Sequence, residues 1–312
     1  MNTDEAARFG KVAVLMGGQS AERPISLKSG AAVMTALREL GVDAHELDPD
    51  SQVLERLAKG GFERAFIILH GRGGEDGQIQ GALETLGMPY TGSGVLGSAI
   101  GMDKVCTKKI WAGSGLPTAD FAVLRGRQDM DAAAALGFPL MIKPAREGSS
   151  LGMARVDSPQ ELEDAYREAA AFDAEVIAES WLSGAEYTCA ILDGEALPLI
   201  RLETPNCFYD FEAKYSANTT KYLCPCGLSA EQEAYYSQLC LRAFDAIGAT
   251  GWGRVDFMLD AEGQPRLLEV NTVPGMTDHS LVPMAAAARG MNFNELVARI
   301  LRTSLKQAAV GA

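Results

Sequence analysis

The sequence predicts an α/β protein whose C-terminal part passes into an α+β arrangement, and three observations carry that reading. Short apolar runs alternate with helical patterns through the first hundred residues, the signature of a parallel sheet with crossover helices. The texture changes near residue 103. Close to the C-terminus, two amphipathic strands flank the turn Asp260–Gly263.

Taken in order, Lys11–Met16 reads as a buried strand ended by Gly17 and Gly18. Ser26 is positioned to cap a helix from Leu27 to Leu40, with Leu27, Ala31, Met34 and Leu37 on one face and Gly41 as the stop. Ala65–Leu69 is a second buried strand. A polar loop, His70–Gly77, follows it, and then a helix marked by Ile79, Leu83 and Leu86. Ligands of such sheets sit at the carboxyl ends of the strands, so the loops Gly17–Ser26 and His70–Gly77 are expected to face one crevice. Beyond residue 103 the pattern gives a helix from Lys104 to about Gly113, a strand Phe121–Leu124, a helix Asp129–Leu136 and a strand Leu140–Lys143. Glu186–Arg201 reads as a hairpin turning on Asp193-Gly194. Residues 202–228 show no periodicity, and a loop that long in a compact fold is usually functional. A helix at about Ala230–Ile247, the strands Gly253–Leu259 and Arg266–Asn271, and an amphipathic helix Asn294–Leu305 complete the chain.

The 312 residues suffice for two or three packed units, and a 47% apolar fraction supports a large core. With 28 basic against 41 acidic residues the net charge is −13, which argues against broad nucleic-acid or anionic-membrane binding. Met1–Gly10 is polar and reads as no leader, and no apolar run approaches the roughly 20 residues of a membrane span. Six cysteines in so long a chain form no disulfide framework and are expected to be reduced thiols in the cytoplasm.

The C-terminal hairpin carries the strongest chemical signal. Side chains alternate faces along a strand, so Arg254 and Asp256 share one face, as do Glu269 and Asn271. A turn centred on Glu262-Gly263 sets Asp256 opposite Glu269 and Arg254 opposite Asn271. Two facing carboxylates repel and call for a cation. Asp256, Glu269 and Asn271 are a donor set suited to Mg²⁺, which fills its remaining positions with phosphate oxygens and water. A solvated polar face on an amphipathic hairpin fits the same pattern. The second signal is Lys143–Gly152, a lysine at a strand end followed by a Gly/Ser loop of the kind that offers backbone N–H groups to phosphate; a plain surface loop is the alternative. Gly92-Ser93-Gly94-Val95-Leu96-Gly97 matches G-x-G-x-x-G, but no adequate strand precedes it, so it reads as a tight turn rather than a dinucleotide site.

These runs, in this order, resemble the D-alanine–D-alanine ligases of the ATP-grasp superfamily. The resemblance spans about Lys11 to Thr303. It rests on Gly17-Gly18-x-Ser20-Ala21-Glu22-Arg23, His70-Gly-x-Gly-Gly-Glu75-Asp76-Gly77, Met102-Asp103-Lys104, Lys143-Pro144-x-x-Glu147-Gly148-Ser149-Ser150, Tyr209-Asp210-x-x-x-Lys214-Tyr215, and Gly253-x-x-Asp256 through Glu269-Val-Asn271-x-x-Pro274-Gly275-Met276-Thr277. It implies an N-terminal α/β substrate-binding domain (1–103), a central ATP-grasp lobe (104–188) and a C-terminal lobe (189–312). The implied activity is joining of two D-alanines through an acyl phosphate, with ATP as co-substrate, for peptidoglycan precursors. The implied cofactor is Mg²⁺, two ions, with Mn²⁺ able to substitute, held by Asp256, Glu269 and Asn271. By the same resemblance Glu22 pairs with the first alanine's ammonium and His70 helps hold its carboxylate. Ser280 and the Leu281 N–H hold the second alanine, and Arg254 with the Gly275 N–H forms the oxyanion hole. Ser149, Tyr215 and Glu22 are hydrogen-bonded together. Lys104, Lys143, Ser150 and Lys214 serve the nucleotide phosphates, while Glu179, Trp181, Leu182 and Glu186 form the adenosine pocket. Residues 202–228 correspond to an active-site lid. A homodimer in the cytoplasm is implied as well, with no nucleic-acid or membrane partner.

Overall fold

A computed structural model describes residues 1–204 and 220–308. Three sheets organise them. The first holds β1 (Val12–Leu15), β2 (Ala44–Leu47) and β3 (Arg64–Ile67), all parallel, in the order β2-β1-β3. The second is antiparallel: β4 (Phe121–Leu124), β5 (Leu140–Pro144), β6 (Ala154–Val156) and β7 (Val176–Ser180), ordered β4-β7-β5-β6. The third contains β8 (Glu186–Leu192), β9 (Glu195–Ala196), β10 (Ile200–Glu203), β11 (Lys221–Leu223), β12 (Trp252–Leu259) and β13 (Pro265–Asn271), with path β11-β10-β8-β12-β13 and β9 against β8.

The alternation expected from the sequence is present, but its capping differs. The first crossover helix spans Arg23–Glu39, with Pro24 in its first turn and Glu22 at the N-cap. Ser26 therefore lies inside the helix rather than capping it. Its buried hydroxyl accepts from the Gly17 N–H at 2.8 Å and donates to the Ile68 carbonyl at 2.7 Å, tying the ends of β1 and β3 together. The strand β2 and the helix Val53–Lys59 carry no clear sequence signal, because only the outer two residues of Ala44-His45-Glu46-Leu47 are buried. The helix Pro159–Ala170 packs on the second sheet through Leu162, Ala165 and Ala169, and it too went unmarked in the sequence. The helix expected at Asp129–Leu136 is a 3₁₀ turn, Arg127–Asp129, followed by Met130–Ala134. The run Gly92–Gly97 is not a plain turn: Gly94 caps a helix, Val95–Met102. A Cβ at Gly97 would lie 2.6 Å from the Gly248 carbonyl, so that glycine lets the helix approach another backbone.

The 188/189 division falls inside β8, which already belongs to the third sheet at Glu186. The last helix, Phe293–Ala308, returns to the N-terminal sheet. Buried Arg64 donates to the Phe9 carbonyl at 2.7 Å and to the Ser304 hydroxyl at 2.9 Å, which ties β3 to that helix. Val282, Leu296, Ile300 and Leu301 share one core with Val12–Leu15 and Phe66. The two ends of the chain therefore close over one hydrophobic centre. Between them lies a cleft where the carboxyl ends of β1 and β3 face the β12–β13 hairpin. Among the described residues no helix is long and apolar enough to cross a membrane.

Candidate active site

The hairpin has the register that strand alternation implies. Arg254 pairs with Asn271 and Asp256 with Glu269, and a β-bulge follows at Asp256/Phe257. The bulge adds local twist. On the other flank Asp256 faces Thr188 of β8. Three donors converge on the Asp256 carboxylate. Arg254 grips it with Nε and Nη2 at 2.8 and 2.7 Å, the Thr188 hydroxyl donates at 2.6 Å, and Asn271 Nδ2 donates at 3.0 Å. Glu269 stands nearer solvent with its Oε2 3.3 Å from Lys104 Nζ. The repulsion between facing carboxylates is thus offset here by Arg254 and Lys104. Among the described residues no group of three or more His, Cys, Asp or Glu side chains forms a metal cluster; the hairpin offers two carboxylates and an amide. Asp256 borders one of two adjoining clefts, Asn271 the other, and Glu269 and Lys104 border both, so oxygen donors and a lysine meet where the clefts join, chemistry that suits a hard cation with phosphate ligands.

The second constellation surrounds β5 and β7. Lys143, at the end of β5, reaches Glu179 Oε1 at 2.8 Å. Lys108, one turn after Lys104 on the helix Lys104–Gly113, is fully buried and touches the same oxygen at 3.4 Å. Its Nζ also donates to the Thr118 hydroxyl at 2.6 Å. Burial pushes the Lys108 ammonium down to about 8, opposed by Glu179. Burial alone would raise the Glu179 carboxyl; the two ammonium groups outweigh it and hold the acid below its ordinary range. Lys104 Nζ donates to the Glu147 carbonyl at 2.8 Å. Around this charged base, Trp181, Leu182, Met141, Met153, Met258 and Leu268 make an apolar slot that Glu186 and Ser150 also border. Such a lining suits a planar, apolar group, and the lysines at its base suit a negatively charged one.

Glu22, His70 and Ser149 line the neighbouring cleft, of about 440 Å³, with Gly275, Ser280 and Leu281 on its far wall. The Ser149 hydroxyl donates to Glu22 Oε1. Ser149 and Ser150 have φ of 53° and 58°, a left-handed backbone costing roughly 1–3 kcal/mol per residue and kept only where its surroundings impose it. Ser280 Oγ accepts from the Thr277 N–H at 2.8 Å, and Ser280 precedes the helix Leu281–Ala288. Ser280 and Leu281, at that helix start, line the cleft, and a helix N-terminus suits a carboxylate. His70 is buried, and its Nδ1 donates to the Val273 carbonyl at 2.8 Å while Nε2 lies 3.4 Å from Ser29 Oγ. Burial depresses its pKa more than Glu22 raises it. A neutral ring that gives its proton to Val273 has none left at Nε2 for a substrate carboxylate, which favours a structural part for this imidazole. Glu75 accepts from the Gly71 and Val273 N–H groups at 2.7 and 3.1 Å. Desolvation and nearby Glu22 push its carboxyl up to about 8, against those two donors and Arg254.

Every described residue to which the sequence assigned a catalytic, binding or metal-holding role borders one of these two clefts, and Lys104, Glu147, Arg254, Glu269 and Leu281 border both. Lys214 and Tyr215 lie outside the described residues, as does the middle of the segment 202–228. Sequence reasoning did not find Lys108, Thr188, Ser29 or the methionine walls. Lys108 had a signal, a second lysine four residues after Lys104 on one helix face. Thr188 had one too, sharing the Glu186 face of β8.

Comparison with known proteins bears on the family and the fold. Residues 110–302 match the family described as the D-ala D-ala ligase C-terminus, and residues 42–93 match the D-ala D-ala ligase N-terminus. The D-alanine–D-alanine ligase of Nitrosococcus oceani is 64% identical over 300 residues, 96% of this chain and 95% of its own. A crystal structure of the Bacillus anthracis D-alanine–D-alanine ligase superposes with a TM-score of 0.87 at 35% identity, covering 97% of this chain and 99% of that one. The structure of that ligase complexed with ATP gives 0.84 at 32% identity, over 97% and 99%.

Proposed function

The chain belongs to the D-alanine–D-alanine ligase family, and on that premise we propose that it condenses two D-alanine molecules at the expense of ATP, releasing ADP and phosphate and supplying dipeptide for peptidoglycan precursors. The observation that carries this reading is the joining of an apolar, lysine-floored slot to a Glu22-gated cleft through Arg254, Lys104 and Glu269. A nucleotide in the slot has its phosphates pointing at a carboxylate bound in the cleft.

A carboxylate is a poor acyl electrophile; moving the γ-phosphoryl group to one of its oxygens gives it a leaving group. Such a transfer needs alignment and charge neutralisation more than covalent help. Lys104 and Lys143 supply positive charge, with Ser150 and the neighbouring loop beside them. Glu179 and Glu186 take ribose and adenine contacts, and Trp181 and Leu182 enclose the base. Mg²⁺, two ions with Mn²⁺ as a substitute, would be held by Asp256, Glu269 and Asn271 and would neutralise phosphate charge. An ion at Asp256 would compete with Arg254 for the carboxylate that its guanidinium now grips, and Arg254 also lines the cleft where the reacting carboxylate would sit.

Glu22 receives the ammonium of the first D-alanine and favours its protonated form. A protonated amine cannot attack, so this subsite supplies only the acyl half. Ser280 and the Leu281 N–H bind the carboxylate of the second alanine. Its amine, once deprotonated, attacks the acyl phosphate, and the oxyanion is met by Arg254 and the Gly275 N–H. The amine then stands in the peptide bond and phosphate departs. Ser149 holds Glu22 in position. The family resemblance adds Lys214 as a phosphate contact and Tyr215 as the partner of Ser149 and Glu22. It further implies a cytoplasmic homodimer acting on free D-alanine, and lobes of 1–103, 104–188 and 189–312, of which the second boundary lies inside β8.

The test is phosphate release from ATP by the purified chain, with dipeptide identified by mass. The reading requires release that depends on D-alanine and is absent with L-alanine. ATP and D-alanine giving no dipeptide defeats it.

A further inference from the structure

The segment Val273–Met276 carries the Gly275 amide, and three side chains from the N-terminal unit hold it in place. The Val273 carbonyl accepts from His70 Nδ1 at 2.8 Å, and the Val273 N–H donates to Glu75 Oε1 at 3.1 Å. The Met276 N–H donates to Ser29 Oγ at 3.1 Å. The two peptide groups that flank Val273 and the amide just after Gly275 are therefore pinned. The pins are themselves fixed. Glu75 Oε2 accepts from the Gly71 N–H at 2.7 Å, and Ser29, fully buried on the helix Arg23–Glu39, lies 3.4 Å from His70 Nε2. Val273 and Met276 are buried as well, so water is poorly placed to replace these bonds.

None of these bonds touches nucleotide or substrate in the scheme above. Their common effect is on direction. An oxyanion donor acts only if it is aimed where charge develops, and misplacement by about 1 Å costs about 100-fold. We propose that Glu75 and Ser29 are positioning residues of the ligation step, setting through the Val273 and Met276 amides where the Gly275 N–H points when the tetrahedral intermediate forms. This rests on the ligase reading and adds to it. It also gives Glu75, in the quoted His70–Gly77 run, a part distinct from substrate binding.

The experiment compares the full chain with Glu75→Leu, which removes both acceptors, and Glu75→Gln, which keeps a carbonyl for the Val273 amide. Wild-type dipeptide synthesis is measured first, so that failure of the ligase reading is seen separately. For Glu75→Leu we expect kcat to fall about 10- to 100-fold, the KM for ATP to stay within about twofold, and affinity for a phosphinate mimic of the intermediate to fall in step with kcat. Glu75→Gln recovers most of the loss. Three results overturn the proposal: kcat within about twofold of wild type in Glu75→Leu, equal weakening of ATP and of the mimic, or no recovery with Gln. If Glu75→Leu does not fold, Ser29→Ala, which removes the Met276 acceptor, is held to the same split between kcat and KM for ATP.

Discussion

Replacing Gly148 with alanine probes the Glu22 gate without touching its charge. The Glu22 carboxylate sits in a slot between two glycines: a Cβ at Gly148 would lie 2.8 Å from its Oε2, and one at Gly71 2.7 Å from the same atom. Ordinary contact begins at 3.4 Å, so in Gly148→Ala that oxygen must retreat by about 0.6 Å. Gly148 is not in the left-handed region, so alanine brings no backbone strain of its own, and the obstructing atoms end a flexible side chain. Stability should therefore change little, by under about 1 kcal/mol. Function should change more. A charge-assisted hydrogen bond contributes about 1.5–3 kcal/mol, and losing its geometry raises the requirement for the first D-alanine about 10- to 100-fold. The assay is initial-rate phosphate release over a range of D-alanine at saturating ATP, repeated over ATP at saturating D-alanine, with a melting curve beside it. A first-alanine KM within twofold of wild type in a folded Gly148→Ala refutes the reasoning. So does a KM for ATP that rises by the same factor.

Glu22→Gln keeps shape and removes charge; it should raise the KM for the first D-alanine about 10-fold or more and leave that for ATP nearly unchanged, as separate titrations would show. Lys108→Met should loosen Glu179, which Lys108 and Lys143 hold between them, and raise the KM for ATP about 10-fold, measured at fixed D-alanine. Lys108 also gives a pH signature. Its pKa falls from 10.5 unfolded to about 8 folded, so between those values the unfolded chain binds one more proton than the native one. Its contribution to stability therefore rises with pH from about 8 to 10.5 and is constant below. In denaturant melts at pH 7.5 and 9.5, Lys108→Met should lack the part of the rise that wild type shows; identical pH slopes contradict this.

How much the sequence revealed depended on the kind of signal. Strand alternation predicted the pairs Arg254/Asn271 and Asp256/Glu269, but nearer the turn the register is one residue off, with Phe257 facing Leu267, and the bulge at Asp256/Phe257, which alternation does not reveal, is what brings the two carboxylates opposite each other. It did not reveal that Asp256 is gripped by Arg254 and Thr188, since Thr188 arrives from a strand 68 residues away. β2 was silent because half of its four residues face solvent. Ser26 looked like a cap because serine favours that place, but tertiary bonds to Gly17 and Ile68 drew it one turn into the helix. The resemblance supplied roles for residues whose type alone says little, such as Glu22 and Ser280. Lys108 left a spacing signal and Glu75 stood in a quoted run, but their partners, and Ser29 altogether, became visible only when distant segments were brought together.

Ligation depends on the hairpin carboxylates letting ATP activate an amino acid's carboxyl group. Glu269→Gln tests it most directly, because Glu269 stands in the cleft whereas Asp256 also braces Arg254, Thr188 and Asn271. D-alanine-dependent phosphate release should be measured against Mg²⁺ concentration for both proteins. Glu269→Gln should run about 100-fold or more below wild type at low Mg²⁺, with the Mg²⁺ requirement shifted upward and the melting curve preserved. A folded Glu269→Gln that releases phosphate at the wild-type rate, with an unshifted Mg²⁺ dependence, would contradict it.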